Sequence, residues 1–226
     1  MFKSVLKTVV CLLAVGVVSV STVCAQDKAA EYRQVVTGRA AKIVTPLGLA
    51  DSSRAIKVRD IIAQQYIDLN TIHDARNAAV KQVKEANKDN KEKAEQEVKK
   101  LQEDADMKLS KLHKQYLSKL SKQLNAQQVE QVKNGMTYGV LPITYKGYQE
   151  MLPSLTAEQK KQILEYLTEA REHAMDAESS EKKHAWFGKY KGRINNYLSA
   201  AGIDMNKASK EWQARIKAAK ENHANN

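Results

Sequence analysis

Apolar residues recur along the chain at spacings of three and four, which is the period of an amphipathic α-helix. The chain has only three prolines, Pro46, Pro142 and Pro153, and few of the alternating β-branched runs that indicate strands. The sequence therefore predicts an all-α fold. Outside the regions described next, the predicted helices cover residues 27–44, 157–177, 184–198 and 206–222.

Residues 53–124 carry two long apolar stripes, interrupted at residues 87–90 by Asn, Lys, Asp and Asn. They predict an antiparallel helical hairpin whose arms of about 33 residues would each span roughly 50 Å. Its tip, residues 80–107, is mostly charged and amide residues with single apolar positions per turn, which is typical of a narrow two-helix seam in water. We expect a helical bundle from which this hairpin protrudes.

Residues 134–148 have a different composition from the helices on either side. Three glycines and Pro142 fall in this segment, together with Tyr138, Tyr145 and Tyr148. Glycine and proline interrupt helices, so the segment predicts an ordered, tyrosine-bearing loop.

The first 25 residues have the organisation of a signal peptide. Lys3 and Lys7 supply positive charge, an apolar stretch follows, and small residues precede a cleavage point after Ala25. Export to the periplasm or secretion is therefore expected, leaving residues 26–226 as a single helical domain. A retained anchor is disfavoured because the apolar stretch is shorter than the roughly 20 residues of a spanning helix. Lipid anchoring through Cys24 is the alternative that remains open.

Removal of the leader changes the chemistry of the chain. Both cysteines, Cys11 and Cys24, lie inside it, so the exported domain would have no thiol and no disulfide. Loss of Lys3 and Lys7 takes the formal charge from +11 to +9. This charge favours an acidic partner, such as a uronate glycan or a phosphate polymer, although it identifies none.

Motifs of the major enzyme classes are missing from the sequence. It contains no phosphate-binding glycine loop, no paired-histidine metalloprotease motif, no nucleophile elbow and no calcium loop. His73 and Asp74 are adjacent, but neighbours on a helix point about 100° apart and rarely share a metal. We therefore predict no catalytic residue, no metal and no cofactor.

Two stretches carry polar and aromatic side chains on one helical face. Tyr66, Asn70, His73 and Asn77 follow the spacing i, i+4, i+7, i+11, which indicates either a partly exposed rim or the polar wall of a groove.

The second stretch has Trp186, Tyr190, Arg193 and Tyr197 at the same spacing. These side chains are either helix-packing anchors or an aromatic platform with a forked donor for a carboxylate. Gly188 and Gly192 in the same helix cost about 1 kcal/mol each relative to alanine. We expect close approach of another backbone or a ligand to explain them.

Three segments, residues 66–76, 134–144 and 186–204, resemble a family of secreted helical proteins of unknown function from polysaccharide-degrading gut bacteria. That family is regarded as sugar-binding, so the resemblance implies a sugar-binding role. The helix starts at residues 124–128 and 155–159 are similar to the Leu-Thr-x-x-Gln motifs of Spy-type periplasmic chaperones.

These observations together predict an exported, non-catalytic glycan-binding or glycan-handling accessory protein. An acidic oligosaccharide or polysaccharide is the expected partner, and no nucleic acid is expected. A Spy-like periplasmic chaperone is the first alternative. The second is a polysaccharide lyase or hydrolase that would use His73, Arg193 and either Tyr138 or Tyr145.

We expect three distant segments to meet at one ligand-binding site. The residues predicted to bind there are Tyr66, His73, Tyr138, Tyr145, Tyr148, Trp186, Tyr190, Arg193 and Asn196.

Overall fold

The computed structural model describes the backbone of residues 18–224 and the side chains of residues 28–221. This part of the chain forms eight α-helices and no strand, which confirms the all-α prediction. A 3-10 turn, Thr45–Leu47, follows the first helix. The helices are α1 Val18–Val44, α2 Ser52–Ala86, α3 Lys91–Ser121, α4 Ala126–Met136, α5 Val140–Met151, α6 Ala157–Met175, α7 Ser180–Ala200 and α8 Met205–Ala224.

The predicted signal peptide, residues 1–25, lies outside the described residues over its first 17 positions. Export and lipid anchoring through Cys24 therefore stay predictions. None of the described helices combines the length and the apolar character that crossing a membrane requires.

α2 and α3 pack against each other as an antiparallel pair. Asp51 caps α2 by accepting from the backbone N–H groups of Ser53 and Arg54. At the open end of the pair the Arg54 side chain donates to the carbonyl of Gln123. At the turn Asn87 donates to Glu97, with 3.3 Å between Nδ2 and Oε2.

The first hydrophobic core lies among α1, the 3-10 turn, the inner half of the α2–α3 pair, and α4. Its largest fully buried members include Ile62, Tyr116 and Leu120. Met175, the last residue of α6, packs into this core as well. The buried residues of this core are Val36, Ala40, Val44, Leu47, Val58, Ile62, Ala63, Tyr116, Leu120, Leu124, Val129, Val132, Met136 and Met175.

The second core lies among α5, α6, α7 and α8. Its buried residues are Leu141, Tyr148, Leu152, Leu155, Ile163, Leu167, Ala170, Ala174, Phe187, Tyr190, Ile194, Leu198 and Ala208. α6 connects the two cores: besides Met175, its Arg171 is buried and donates to Glu130 and Asn134 of α4, at 2.6 and 2.9 Å.

The segment 134–148 is not the loop that we predicted. Only Thr137, Tyr138 and Gly139 separate α4 from α5. Tyr138 and Gly139 both have positive φ, 59° and 66°, and this left-handed pair turns the chain sharply between the two helices. Pro142 is in the first turn of α5, where its missing N–H would have had no helical partner.

Candidate functional site

A cavity of about 700 Å³ opens where α1, α2 and α4 meet the connection between α6 and α7. Three tyrosines reach it: Tyr32 from α1, Tyr66 from α2 and Tyr138 from the α4–α5 turn. We call it the tyrosine cavity. Its other polar and charged lining residues are Arg39, Lys42, Asn70, His73, Gln131, Asn134, Glu178, Ser179, Ser180 and Lys183.

The helical spacing noted in the sequence produces one wall of this cavity. Tyr66, Asn70 and His73 lie on successive turns of α2 and all three line it. Asn77, one turn further on, lines a neighbouring cavity and its amide donates to Glu178 at 3.3 Å. These side chains therefore border a cavity, and His73 is at the same time hydrogen-bonded to a neighbour, so the face has features of both the rim and the groove wall.

Close packing of α1 on α4 brings the cations of α1 to the same cavity. A Cβ added at Gly135 of α4 would be 2.9 Å from Cγ2 of Ile43, a distance that real Cβ atoms do not adopt. A glycine at this position therefore lets α1 lie close to α4. Arg39 and Lys42, on the exposed side of α1, border the opening as a result.

His73 is buried, with one of its nitrogens satisfied and the other not. Its Nε2 lies 2.8 Å from the carbonyl oxygen of Asp176, so Nε2 carries the proton and donates it. Nδ1 has no hydrogen-bond partner within the described part of the chain. The nearest carboxylate oxygen, Oε2 of Glu178, is 3.9 Å away.

Tyr138 is placed at the mouth of the cavity by a strained backbone. A left-handed conformation costs a non-glycine residue roughly 1–2 kcal/mol. In spite of its size, Tyr138 is 54% exposed. Its ring stacks on His184 of α7, with centroids 5.5 Å apart and planes at 11°. Strain of this kind is typical of residues kept for binding.

Lys183 reaches the cavity from the first turn of α7. Its Nζ donates to two backbone carbonyls, those of Met136 and Met175, each at 3.3 Å. Burial lowers the pKa of this amine to about 8, with Asp176 opposing that change and Arg39 adding to it.

The electrostatic balance of the lining is positive. Arg39, Lys42 and Lys183 face a single carboxylate, Glu178. Burial would raise the pKa of Glu178, but hydrogen bonds from Asn77 and Arg76 together with the Arg76 charge hold it below its usual value. That carboxylate is already paired, whereas neither Arg39 nor Lys42 forms an ion pair with any side chain in residues 28–221. An anionic ligand at the opening would meet two cations that have no ion-pair partner among residues 28–221.

A second cavity, of about 770 Å³, shares His73, Ala177 and Glu178 with the first. His113 of α3 lies in its wall, with Nε2 3.2 Å from Glu172 and Nδ1 2.8 Å from Asp176. These two carboxylates raise the pKa of His113 to about 9. Within residues 28–221 no three His, Asp or Glu side chains are arranged to hold a metal ion.

Trp186 lines this second cavity but is not in the first. It is the first of several stacked side chains between α6 and α7. Its ring stacks on that of His173, with centroids 4.3 Å apart and planes at 14°. Further along α7, the guanidinium carbon of Arg193 lies over two tyrosine rings. It is 4.9 Å from the ring centroid of Tyr166 and 4.8 Å from that of Tyr190. Arg193 is also 3.5 Å from Glu169.

The nine predicted site residues thus do not all meet at one place. Tyr66, His73 and Tyr138 come together in the tyrosine cavity, and Trp186 is in the adjoining one. The other five predicted residues line neither of these two cavities. They are Tyr145, Tyr148, Tyr190, Arg193 and Asn196.

Packing explains why these five lie elsewhere. Tyr148 and Tyr190 are buried in the second core, and the Tyr148 hydroxyl donates to Asn195 at 2.7 Å. Tyr145 packs against that core, and Arg193 is held by α6. Asn196 is exposed on α7.

Close approach of another backbone does not explain the two glycines of α7. A Cβ built at Gly188 or Gly192 would have nothing within 4 Å in the described part of the chain.

Sequence reasoning missed Lys183, Arg39 and Lys42. Lys183 was part of a basic run in which nothing distinguishes one lysine from the next. The only usable signal was its position three residues before Trp186, which puts both on the side of α7 that faces the rest of the molecule.

No protein with a curated description matches the chain. A family model described as "Protein of unknown function (DUF3826)" matches residues 33–218 and therefore covers all the walls of the tyrosine cavity except Tyr32. That description names no ligand and no activity. Because the match extends over most of its length, the chain belongs to this family of proteins of unknown function, DUF3826.

Proposed function

We propose that the protein is an exported, non-catalytic accessory protein that binds acidic glycans in the tyrosine cavity. The observation that carries the proposal is the lining of this cavity. Tyrosine rings and amide groups lie beside two cations, Arg39 and Lys42, that have no ion-pair partner in the described part of the chain. Rings offer an apolar face to a sugar, and a guanidinium is a forked donor for a carboxylate.

The size of the cavity supports a small stretch of a carbohydrate chain. Ligand pockets are commonly about 300–1,000 Å³, and this cavity has a volume of about 700 Å³. Its opening lies beside the exposed Tyr138 ring and beside Arg39, so a longer chain could continue into solvent from there.

The lyase alternative has less support. The residues considered for it included His73, Tyr138 and Arg193, and Arg193 is not in the lining of the tyrosine cavity. Its guanidinium is instead stacked on two tyrosines beside Glu169. Binding without turnover fits the cavity better.

The test is a calorimetric titration of oligogalacturonate, hyaluronan fragments and a neutral maltooligosaccharide into the purified protein. Wild type should bind at least one acidic chain and not the neutral one. Arg39→Ala should weaken that binding by about 1.5–3 kcal/mol, which is roughly ten- to a hundredfold, because a charge-assisted hydrogen bond is lost. Arg39 is exposed, so the melting temperature should stay close to that of wild type.

Arg193→Ala is the matched control, since it also removes one guanidinium but at a position outside the cavity. Its affinity for the acidic chain should equal that of wild type. Failure of every acidic chain to bind wild type would refute the proposal. Weakening by Arg193→Ala but not by Arg39→Ala would move the site to the α6–α7 surface.

A further inference from the structure

Lys183 is the one lysine of the tyrosine cavity that is buried, with 6% of its surface exposed. It is the fourth residue of α7. Its two acceptors, the carbonyls of Met136 and Met175, belong to the last residues of α4 and α6. The C-terminal carbonyls of helices lack helical partners, so these two are natural acceptors for a side-chain amine.

The number of acceptors matches the neutral amine. A neutral amine on tetrahedral nitrogen has two N–H bonds and one lone pair, whereas an ammonium group has three N–H bonds. Two carbonyls therefore satisfy both N–H bonds of the neutral form. No third acceptor for Nζ is found among the described side chains and backbone, so the third N–H of the ammonium form has no partner in that part of the protein.

Burial, more than the neighbouring charges, favours the neutral form of Lys183. Burial and the Arg39 charge lower the pKa of Lys183 to about 8, against the opposing influence of Asp176. The carboxylate of Asp176 is itself 2.8 Å from His113, which competes for it. The Tyr66 ring centroid lies 5.8 Å from Nζ, near the outer limit for a cation–π contact. With a pKa of about 8, roughly one amine in ten is neutral at pH 7.

A desolvated lysine beside another cation is a recognised nucleophile for carbonyl carbon. We propose that Nζ of Lys183 captures the carbonyl of an open-chain acidic sugar as an imine, while Arg39 and Lys42 bind the sugar carboxylate. A uronic acid at a reducing end has both groups, an aldehyde at one end and a carboxylate at the other. This inference rests on the proposed function, because it uses the same cavity.

The reaction is a condensation without any change of oxidation state. The Nζ lone pair forms a bond to the carbonyl carbon as the carbon–oxygen π bond breaks, and one proton passes from the nitrogen to the oxygen to give a carbinolamine. Transfer of the second N–H proton to that oxygen releases it as water and leaves a carbon–nitrogen double bond, and addition of water reverses the sequence. The two backbone carbonyls position the amine before the attack, and both hydrogen bonds are lost when the nitrogen gives up its two protons.

Reduction of the imine tests the proposal directly. The full chain is incubated with galacturonate, or with glyoxylate as a smaller oxo acid, and then treated with cyanoborohydride, which supplies hydride to the imine. Intact mass and peptide mapping should show one adduct, on Lys183, before the exposed lysines react. The labelling rate at Lys183 should rise about fiftyfold between pH 6 and pH 8, as the neutral fraction of the amine grows from about one in a hundred to about one half.

Two variants complete the test. Lys183→Arg keeps a donor for the two carbonyls but removes the nucleophile, so this variant should give no adduct at position 183. The melting temperature of the variant shows whether it folds. Lys182→Met removes the adjacent, exposed lysine and should leave the adduct on Lys183. Adducts spread over exposed lysines, with Lys183 unmodified in folded wild type, would overturn the proposal. In that case Lys183 only caps two helices.

The outcome is separable from that of the proposed function. Galactonate has the carboxylate but no carbonyl, and acidic chains with a reduced end lack the aldehyde. These ligands should still bind in calorimetry but give no adduct. Binding of both reduced and unreduced chains without any adduct on Lys183 would reject the imine and keep the glycan site.

Discussion

Tyr138 shows how a single residue combines a backbone cost with an exposed ring. It has the left-handed φ that glycine and asparagine adopt more readily, and more than half of its side chain faces solvent. Its stacking on His184 recovers part of that cost. A residue in this position is expected to be unfavourable for stability and favourable for recognition.

Tyr138→Asn should therefore stabilise the fold slightly, by up to about 1 kcal/mol, because asparagine tolerates the left-handed region. The same change should weaken binding of an acidic chain, since the ring at the cavity mouth is lost. Chemical denaturation and calorimetry measure the two effects. A variant that is less stable by more than 1 kcal/mol would show that the His184 contact outweighs the backbone strain.

His113 belongs to a partly buried charge network at the junction of α3, α4 and α6. Glu172 contacts His113, Lys133 and Arg171. Burial would raise the pKa of Glu172, but those three cations outweigh it and lower its pKa to about 2. His113 and Glu172 are thus both charged at neutral pH, and removal of either charge would leave the other incompletely paired.

The raised pKa of His113 predicts a loss of stability in mild alkali. Its pKa is about 9 in the folded chain and about 6.5 when unfolded, so its contribution is complete below pH 6.5 and disappears as pH rises to 9. Between pH 6.5 and 8 the free energy of unfolding should fall by about 1 kcal/mol after allowance for solvent screening.

His113→Gln should flatten this decline in urea denaturation at fixed pH values. His173→Gln, on the exposed α6–α7 surface, should keep the wild-type slope. The measurements should end at pH 8, because Lys183 has the opposite effect on stability at higher pH. Its pKa is lowered in the folded chain, so the free energy of unfolding rises again as that amine loses its proton. Equal slopes in wild type and His113→Gln would contradict the assignment.

At the level of single residues, the sequence identified the cavity residues that lie together on one helix. Tyr66, Asn70 and His73 share a face of α2 because of helical geometry, and they share a cavity wall in the fold. Arg39 and Lys183 join that wall only because α1 and α7 pack where they do. Apart from the spacing of Lys183 and Trp186 on α7, nothing in their local sequence indicates that packing.

At the scale of elements, the end of the α2–α3 pair is held mainly by its own contacts. Its ion pairs join residues of the same tip, Lys88 to Glu85, Lys91 to Glu95 and Lys93 to Glu97. Exposed pairs of this kind contribute little to stability. Only Ala94 is buried between residues 82 and 97.

Removal of residues 82–97, with Lys81 joined to Val98 by a Gly/Asn turn of about four residues, should leave the rest of the fold intact. We expect a cooperative thermal transition close to that of wild type. Leu120→Ala is the contrasting control: it empties a fully buried position of the first core and should cost about 2–5 kcal/mol. A molten shortened chain would show that the tip packs on the body.

Helix boundaries were predictable where capping residues mark them. At the two helix starts noted in the sequence, residues 124–128 and 155–159, Asn125 and Thr156 form capping boxes with Gln128 and Gln159. The helix boundaries around residues 134–148 were not predictable, because the number of glycines and prolines does not reveal a turn of only three residues. One left-handed pair, Tyr138 and Gly139, accounts for the whole interruption.

For the molecule as a whole, the all-α class followed from the period of the apolar residues. The division of the molecule into two cores could not be predicted in this way, because the same apolar period fits any arrangement of helices. Arg171 contributes to the arrangement of the helices because it is buried on α6 and donates to Glu130 and Asn134 of α4. In the sequence it is one of many cations, and burial alone distinguishes it.

The connection between α6 and α7 has a mechanical consequence. Met175 at its start packs in the first core, α7 at its end packs in the second, and Ala177, Glu178 and Ser179 between them form part of the tyrosine cavity. A ligand touching these three residues and the wall of α2 would therefore contact elements of both cores at once. Binding there would restrict movement of the connection relative to α2.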